Sequence, residues 1–166
     1  MKEEGVVDMP MRLLIVAAIL VFTVPVVLGV ITQYSFSSTE QKLASAVEYL
    51  KKQIEIVYAQ GDNASMVVRD TFPFGTEYVI IGGPLGTDNS HLIRYKLRNG
   101  MPRQTIVNYG NLEIIMSNKT NNGTLVVGGT YDFIITKVKS PIDLDHDGLL
   151  DDYYIQVDLR HVGVKS

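Results

Sequence analysis

The chain contains no cysteine and no tryptophan, although it has nine tyrosines. Without cysteine, the fold gains nothing from disulfide bonds, and thiol redox chemistry is excluded. The net charge of −3 is too small to indicate a polyanionic partner, so we expect no specific nucleic-acid binding. The remaining information in the sequence lies in its hydrophobic pattern and its local motifs.

Charge is also absent from one long stretch near the N-terminus. No Asp, Glu, Lys or Arg occurs between Arg12 and Glu40, and Leu13 to Ile31 is almost wholly apolar. About 20 apolar residues in a helix cross the roughly 30 Å hydrocarbon core of a bilayer. A secretory signal peptide is the alternative, but its apolar core is usually shorter and ends in a small-residue cleavage site. No Ala-x-Ala site follows, so we predict a helical membrane anchor.

An amphipathic pattern follows the apolar run. Its apolar residues recur at spacings of three and four and form a narrow stripe: Leu43, Val47, Leu50, Ile54 and Val57. Such a stripe is typical of a helix packed against one surface. Ser38 to Gln41 has the spacing of a capping box, so a second helix could begin there; equally, one helix could continue through.

Residues 61–166 show recurring strand patterns separated by turn residues. Asn99-Gly100 predicts a hairpin. We predict an α+β fold in which the long helix precedes an antiparallel sheet or small sandwich, with strands at Met66–Arg69, Tyr78–Ile81, Leu92–Arg98, Gln104–Val107, Leu112–Met116, Leu125–Val127, Tyr131–Val138 and Tyr153–Leu159.

The N-terminal organisation resembles the archaeal type IV pilins and pilin-like proteins, which carry class III signal peptides. The resemblance lies in a short charged leader ending at Gly5, an uncharged helix and a strand-rich domain. It implies a leader at 1–5, an assembly helix at 6–60 and an extracellular domain at 61–166. A leader peptidase would cut between Gly5 and Val6, after which the helix would leave the membrane and pack with itself or other pilins in a surface filament.

An acidic motif lies near the C-terminus, where the sequence matches D-x-D-x-D-G-x-x-D. Carboxylates on alternate residues of a tight loop converge on one point, and calcium prefers six to eight oxygen ligands. The motif resembles EF-hand-type calcium loops, also found in dockerins and thrombospondin repeats. The expected ligands are Asp143, Asp145, Asp147, the Leu149 carbonyl, Asp151 and Asp152. The alternative is a solvated acidic turn.

Two surface features complete the expectations. Asn-x-Ser/Thr sequons begin at Asn63, Asn118 and Asn122, which suits an exported glycoprotein. Arg94, Lys96 and Arg98 alternate with apolar residues and should share one strand face. That face is either a site for an anionic partner or the solvated side of an amphipathic strand whose cations protect a sheet edge; we favour the second.

The sequence contains no recognisable catalytic constellation. His91, His146 and His161 are scattered, and Glu113 is interpreted as surface charge. We therefore do not expect an enzyme. Two classes remain, namely a pilin or minor pilin in a filament and a non-polymerising, membrane-anchored extracellular domain that binds a partner.

Overall fold

The N-terminal third of the chain forms one helix. The structure, a computed structural model, describes residues 4–107, 112–116, 125–141 and 152–161. Helix α1 covers Glu4–Ala59 without interruption, so Ser38 lies inside it and the alternative of a second helix beginning there is wrong. The chain divides into two compact units, Met1–Glu40 and Gln41–Ser166. The second unit therefore contains the C-terminal part of α1 together with all the strands.

Every predicted strand is present, with ends shifted by a few residues. The strands are β1 Ser65–Phe72, β2 Thr76–Ile81, β3 Leu92–Leu97, β4 Arg103–Ile106, β5 Glu113–Met116, β6 Leu125–Val126, β7 Gly129–Lys139 and β8 Tyr153–His161. A 3-10 turn at Asp88–His91 precedes β3. The β3–β4 hairpin predicted at Asn99-Gly100 is confirmed, and the Gly100 N–H donates to the Leu97 carbonyl at 2.9 Å.

The strands form two four-stranded sheets. One has the order β1-β7-β8-β5 and the other has the order β4-β3-β2-β6. Among the described residues, all strand pairings are antiparallel except that of β5 with β8, which is parallel. The fold is therefore the predicted α+β class with antiparallel-rich sheets, corrected at this one pair. β5 can be parallel to β8 because a chain segment containing β6 and β7 separates them in sequence.

The core lies where the amphipathic part of α1 meets residues of both sheets. All five stripe residues, Leu43, Val47, Leu50, Ile54 and Val57, are at most 1% exposed. They join one buried cluster with β-strand residues such as Phe72, Ile93, Phe133 and Val157. The predicted stripe is thus confirmed as a surface that faces the core, and its burial holds this part of the helix against the strands.

The C-terminal end of α1 is held by Lys137 of β7. The Lys137 ammonium donates to the Gln60 carbonyl at 3.1 Å, just beyond the last helical residue. It also lies 5.1 Å from the centre of the Tyr58 ring and 4.6 Å from that of Tyr153. A cation at a helix C-terminus satisfies a free carbonyl and interacts favourably with the helix dipole.

Candidate functional site

The first candidate site is the apolar segment of α1. Large apolar side chains from Met11 to Ile31 are 47–76% exposed. Among the described residues, one helix is long and apolar enough to cross a membrane, and its most apolar window is unburied. The described residues of the chain leave these side chains uncovered, so the segment is compatible with membrane anchoring.

Polar groups inside this segment are satisfied locally. The Thr23 hydroxyl donates to the Ile19 carbonyl at 2.8 Å, and the Thr32 hydroxyl donates to the Leu28 carbonyl at 3.0 Å. Hydroxyls bonded to the carbonyl four residues earlier do not need water. The segment therefore suits an environment without water, where unpaired polar groups are costly.

The predicted cleavage junction lies within the helix. Backbone helix extends from Glu4, so Gly5 and Val6 both have helical backbones, while their side chains lie outside what the structure describes. Leader residues 1–3 also lie outside the described residues. The cleavage site therefore stays a prediction.

The predicted calcium loop connects β7 to β8. The two strands pair up to Lys139 and Tyr153, and the Ser140 N–H donates to the Asp152 carbonyl at 2.7 Å. Of the expected ligands, only Asp152 is described; Asp143, Asp145, Asp147, Leu149 and Asp151 lie outside the described residues. The part of the chain that the structure describes contains no group of three or more His, Cys, Asp or Glu side chains that could hold a metal ion.

One predicted glycosylation site can be placed. Asn63 is exposed in the turn between α1 and β1, with a positive φ of 57°, a conformation that asparagine tolerates better than most residues. The hydroxyl of Ser65, the third sequon residue, is 3.0 Å from that of Thr136. Asn118 and Asn122 lie outside the described residues.

The basic face of β3 is partly neutralised. Arg94 and Lys96 alternate with buried residues as predicted, and the Lys96 ammonium lies 2.9 Å from a Glu77 carboxylate oxygen. Arg94 is half-buried. β3 lies between β4 and β2, so the suggestion that these cations protect a sheet edge is wrong. The face is the outer side of an interior strand.

A buried polar cluster surrounds Glu113, and the sequence pattern did not predict it. Instead of being surface charge, Glu113 is 5% exposed, and its Oε2 accepts the Gly86 N–H at 2.7 Å. Its Oε1 lies 4.0 Å from Nε2 of His91. The His91 Nδ1 lies 2.7 Å from the Leu112 carbonyl, which can only accept, so Nδ1 carries a proton.

This cluster joins the two sheets. The Gly82 N–H donates to the Leu92 carbonyl in one sheet, and the Gly83 N–H donates to the Ile114 carbonyl in the other. A side chain at Gly82 would place its Cβ 2.0 Å from the Ile114 oxygen. The loop from Gly82 to Gly86 is rich in glycine because its backbone packs closely against β5, and the Glu113 carboxylate accepts a hydrogen bond from its last residue, Gly86.

Two aspartates near the edge strand β1 have opposite electrostatic environments. Asp132 accepts two hydrogen bonds from the Arg69 guanidinium, at 2.7 and 3.0 Å, and this interaction lowers the pKa of Asp132. Asp70 faces inward; burial raises its pKa, although its Oδ1 accepts the Thr71 N–H. The Asp70 Oδ2 is buried without a hydrogen-bond partner among the described residues.

Comparisons with protein-family models, with curated proteins and with solved structures found no match to this chain. The exposed apolar segment of α1 is the most informative feature of the described residues, because large exposed apolar surfaces are typical of membrane-binding or protein-binding sites.

Proposed function

We propose that the chain is a structural subunit, a pilin or minor pilin, of an archaeal type IV pilus-like surface filament. Its helix is first held in a membrane and then packs with copies of itself or with other pilins, while the β-rich domain faces outward. The uniformly exposed apolar segment of α1, continuous with a helical surface that is fully buried in the β domain, is the observation that carries this proposal.

The two parts of α1 differ in how much of their apolar surface is buried. Leu50 is fully buried, whereas Leu20 is 53% exposed. Each fully buried leucine-sized side chain contributes about 1.5–3 kcal/mol, so leaving the whole apolar segment from Met11 to Ile31 in water would be strongly unfavourable. Lipid covers it in the membrane, and neighbouring helices would cover it in a filament. The β domain would be exposed in both states, in keeping with sequons such as that at Asn63.

A second candidate is a non-polymerising, membrane-anchored extracellular domain that binds a partner or mediates adhesion. The local satisfaction of Thr23 and Thr32 favours it, because these hydroxyls need no neighbouring helix. Both candidates are anchored in the membrane by α1. They differ in whether the leader at 1–5 is cleaved, because only the filament subunit requires cleavage. We propose no catalytic activity for either.

Mass spectrometry of native protein tests the choice between them. We expect a mature N-terminus at Val6 and, by electron microscopy, loss of filaments from cells that lack the chain. The Gly5→Leu variant should block both processing and filament formation. The Gly61→Leu variant is the matched control, because Gly61 has open space around it. An intact Met1 in native membranes, with filaments unchanged, would reject the filament subunit in favour of the anchor.

We also propose that calcium binds the β7–β8 connection through Asp143, Asp145, Asp147, the Leu149 carbonyl, Asp151 and Asp152. The hydrogen bond between Ser140 and Asp152 supports this, because it brings together the two ends of the β7–β8 connection that contains the acidic motif. Calcium would then reduce repulsion among the carboxylates and stabilise the hairpin.

Thermal unfolding tests the calcium proposal. Calcium at 100 times its dissociation constant should raise the free energy of unfolding by about 2.7 kcal/mol. The Asp145→Ala variant should lose the response, while Asp62→Ala, an exposed aspartate outside the motif, should keep it. An equal response in both variants would reject the loop as the site.

A further inference from the structure

Phe74 lies in a turn that is closed by hydrogen bonds. The Thr76 N–H and hydroxyl both donate to the Pro73 carbonyl, at 3.2 and 2.8 Å, and Gly75 has a φ of +92°. Thr76 is buried, whereas Phe74 is 88% exposed. The turn therefore exposes a large apolar side chain to solvent. Because the turn is already formed, a partner that binds Phe74 does not have to order it.

Two further chain segments support the same turn. The Arg98 N–H donates to the Gly75 carbonyl at 2.9 Å, and a Cβ at Gly128 would lie 2.6 Å from the Pro73 oxygen. These contacts place the β3–β4 connection and the β6–β7 connection beside Phe74. Met101 in the first is 82% exposed and Val127 in the second is 46% exposed. We call Phe74, Met101 and Val127 the apolar tip.

The segments that form the apolar tip carry one basic residue. The three connecting segments, 73–75, 98–102 and 127–128, contain no acidic residue, and they include the exposed Arg98. Apolar side chains flanked by arginine are typical of surfaces that insert at the interface of an anionic bilayer.

We propose that the apolar tip binds an anionic lipid surface while the chain is anchored by α1. This inference rests on the membrane anchoring in the proposed function. Two or three inserted side chains bind weakly by themselves, but an anchored domain meets the bilayer at a high effective concentration. A second copy of the tip is a less suitable partner, because it would oppose Arg98 with another Arg98.

The absence of tryptophan provides a direct test. The full chain is reconstituted in vesicles of phosphatidylcholine with or without phosphatidylglycerol, with brominated lipids as fluorescence quenchers. Phe74→Trp reports on the tip. Phe22→Trp, in the exposed apolar helix, reports on the anchor. Val67→Trp is the matched control on β1, since Val67 is 65% exposed but lies outside the tip.

We expect brominated lipids to quench Phe74→Trp at least twofold in phosphatidylglycerol vesicles, and Val67→Trp much less. Adding Arg98→Glu to Phe74→Trp should remove the dependence on phosphatidylglycerol. Quenching of Phe22→Trp alone would overturn the tip proposal and leave the anchor intact. Quenching of neither variant would overturn the anchor itself. A Phe74→Trp emission shift that depends on protein density, without quenching, would assign the tip to a second copy and overturn lipid binding.

Discussion

The same substitution, leucine to alanine, can be compared at Leu50 and at Leu20, which lie in two different parts of α1. Leu50 is fully buried in the domain core, whereas Leu20 is 53% exposed in the apolar segment. Replacing Leu50 with alanine removes about 2 kcal/mol of transfer free energy, and the cavity adds about 24 cal/mol per Å³ of unfilled volume. We therefore expect Leu50→Ala to lower the free energy of unfolding by about 3 kcal/mol.

The assay is denaturant unfolding of the full chain in detergent micelles, followed by tyrosine fluorescence and near-ultraviolet circular dichroism. Leu20→Ala should change the free energy of unfolding of the β domain by no more than about 0.5 kcal/mol, as for a residue outside the packed core. Equal effects of the two substitutions, or a Leu50→Ala effect below about 1 kcal/mol, would show that the amphipathic part of α1 does not belong to the domain core.

Further predictions concern pH and backbone packing. Asp132 has a lowered pKa, so its ionised form stabilises the folded state above about pH 4, and this stabilisation is lost as pH falls through its folded-state pKa. Asp132→Asn should therefore reduce the fall in melting temperature at acidic pH, measured by thermal unfolding. Asp70 has a raised pKa, so its ionisation lowers the free energy of unfolding as pH rises above about 4, and Asp70→Asn should remove that loss; if both substitutions changed the pH dependence in the same direction, one of the two assignments would be wrong. Gly82→Ala should destabilise the domain by at least about 1–3 kcal/mol, because a Cβ meets the Ile114 carbonyl at a φ of +67°, whereas Gly29→Ala, with open space around it, should leave domain stability unchanged.

The strongest sequence predictions were those based on local periodicity. The five-residue stripe from Leu43 to Val57 predicted a buried helix surface, and all five residues are buried. Alternation along β3 likewise predicted which side chains face inward. These predictions succeeded because side-chain direction in a helix or strand follows from backbone geometry alone. The apolar run needed only its length and lack of charge to indicate a membrane-compatible helix.

Other features depended on contacts between residues distant in sequence. Glu113 carries no local signal of burial, because its partners, Gly86 and His91, belong to another part of the chain. The position of β3 inside its sheet, and hence the role of its cations, also required the strand order.

The sequence by itself determined a long uncharged helix, its amphipathic continuation and the strands that follow, since each depends on a short-range pattern. Only the tertiary structure decided the parallel pairing of β5 with β8, the burial of Glu113 and the packing of the β3–β4 and β6–β7 connections beside Phe74. The physical reason is that hydrogen-bond partners and surface neighbours are selected when separate segments pack together, and local periodicity does not encode that choice.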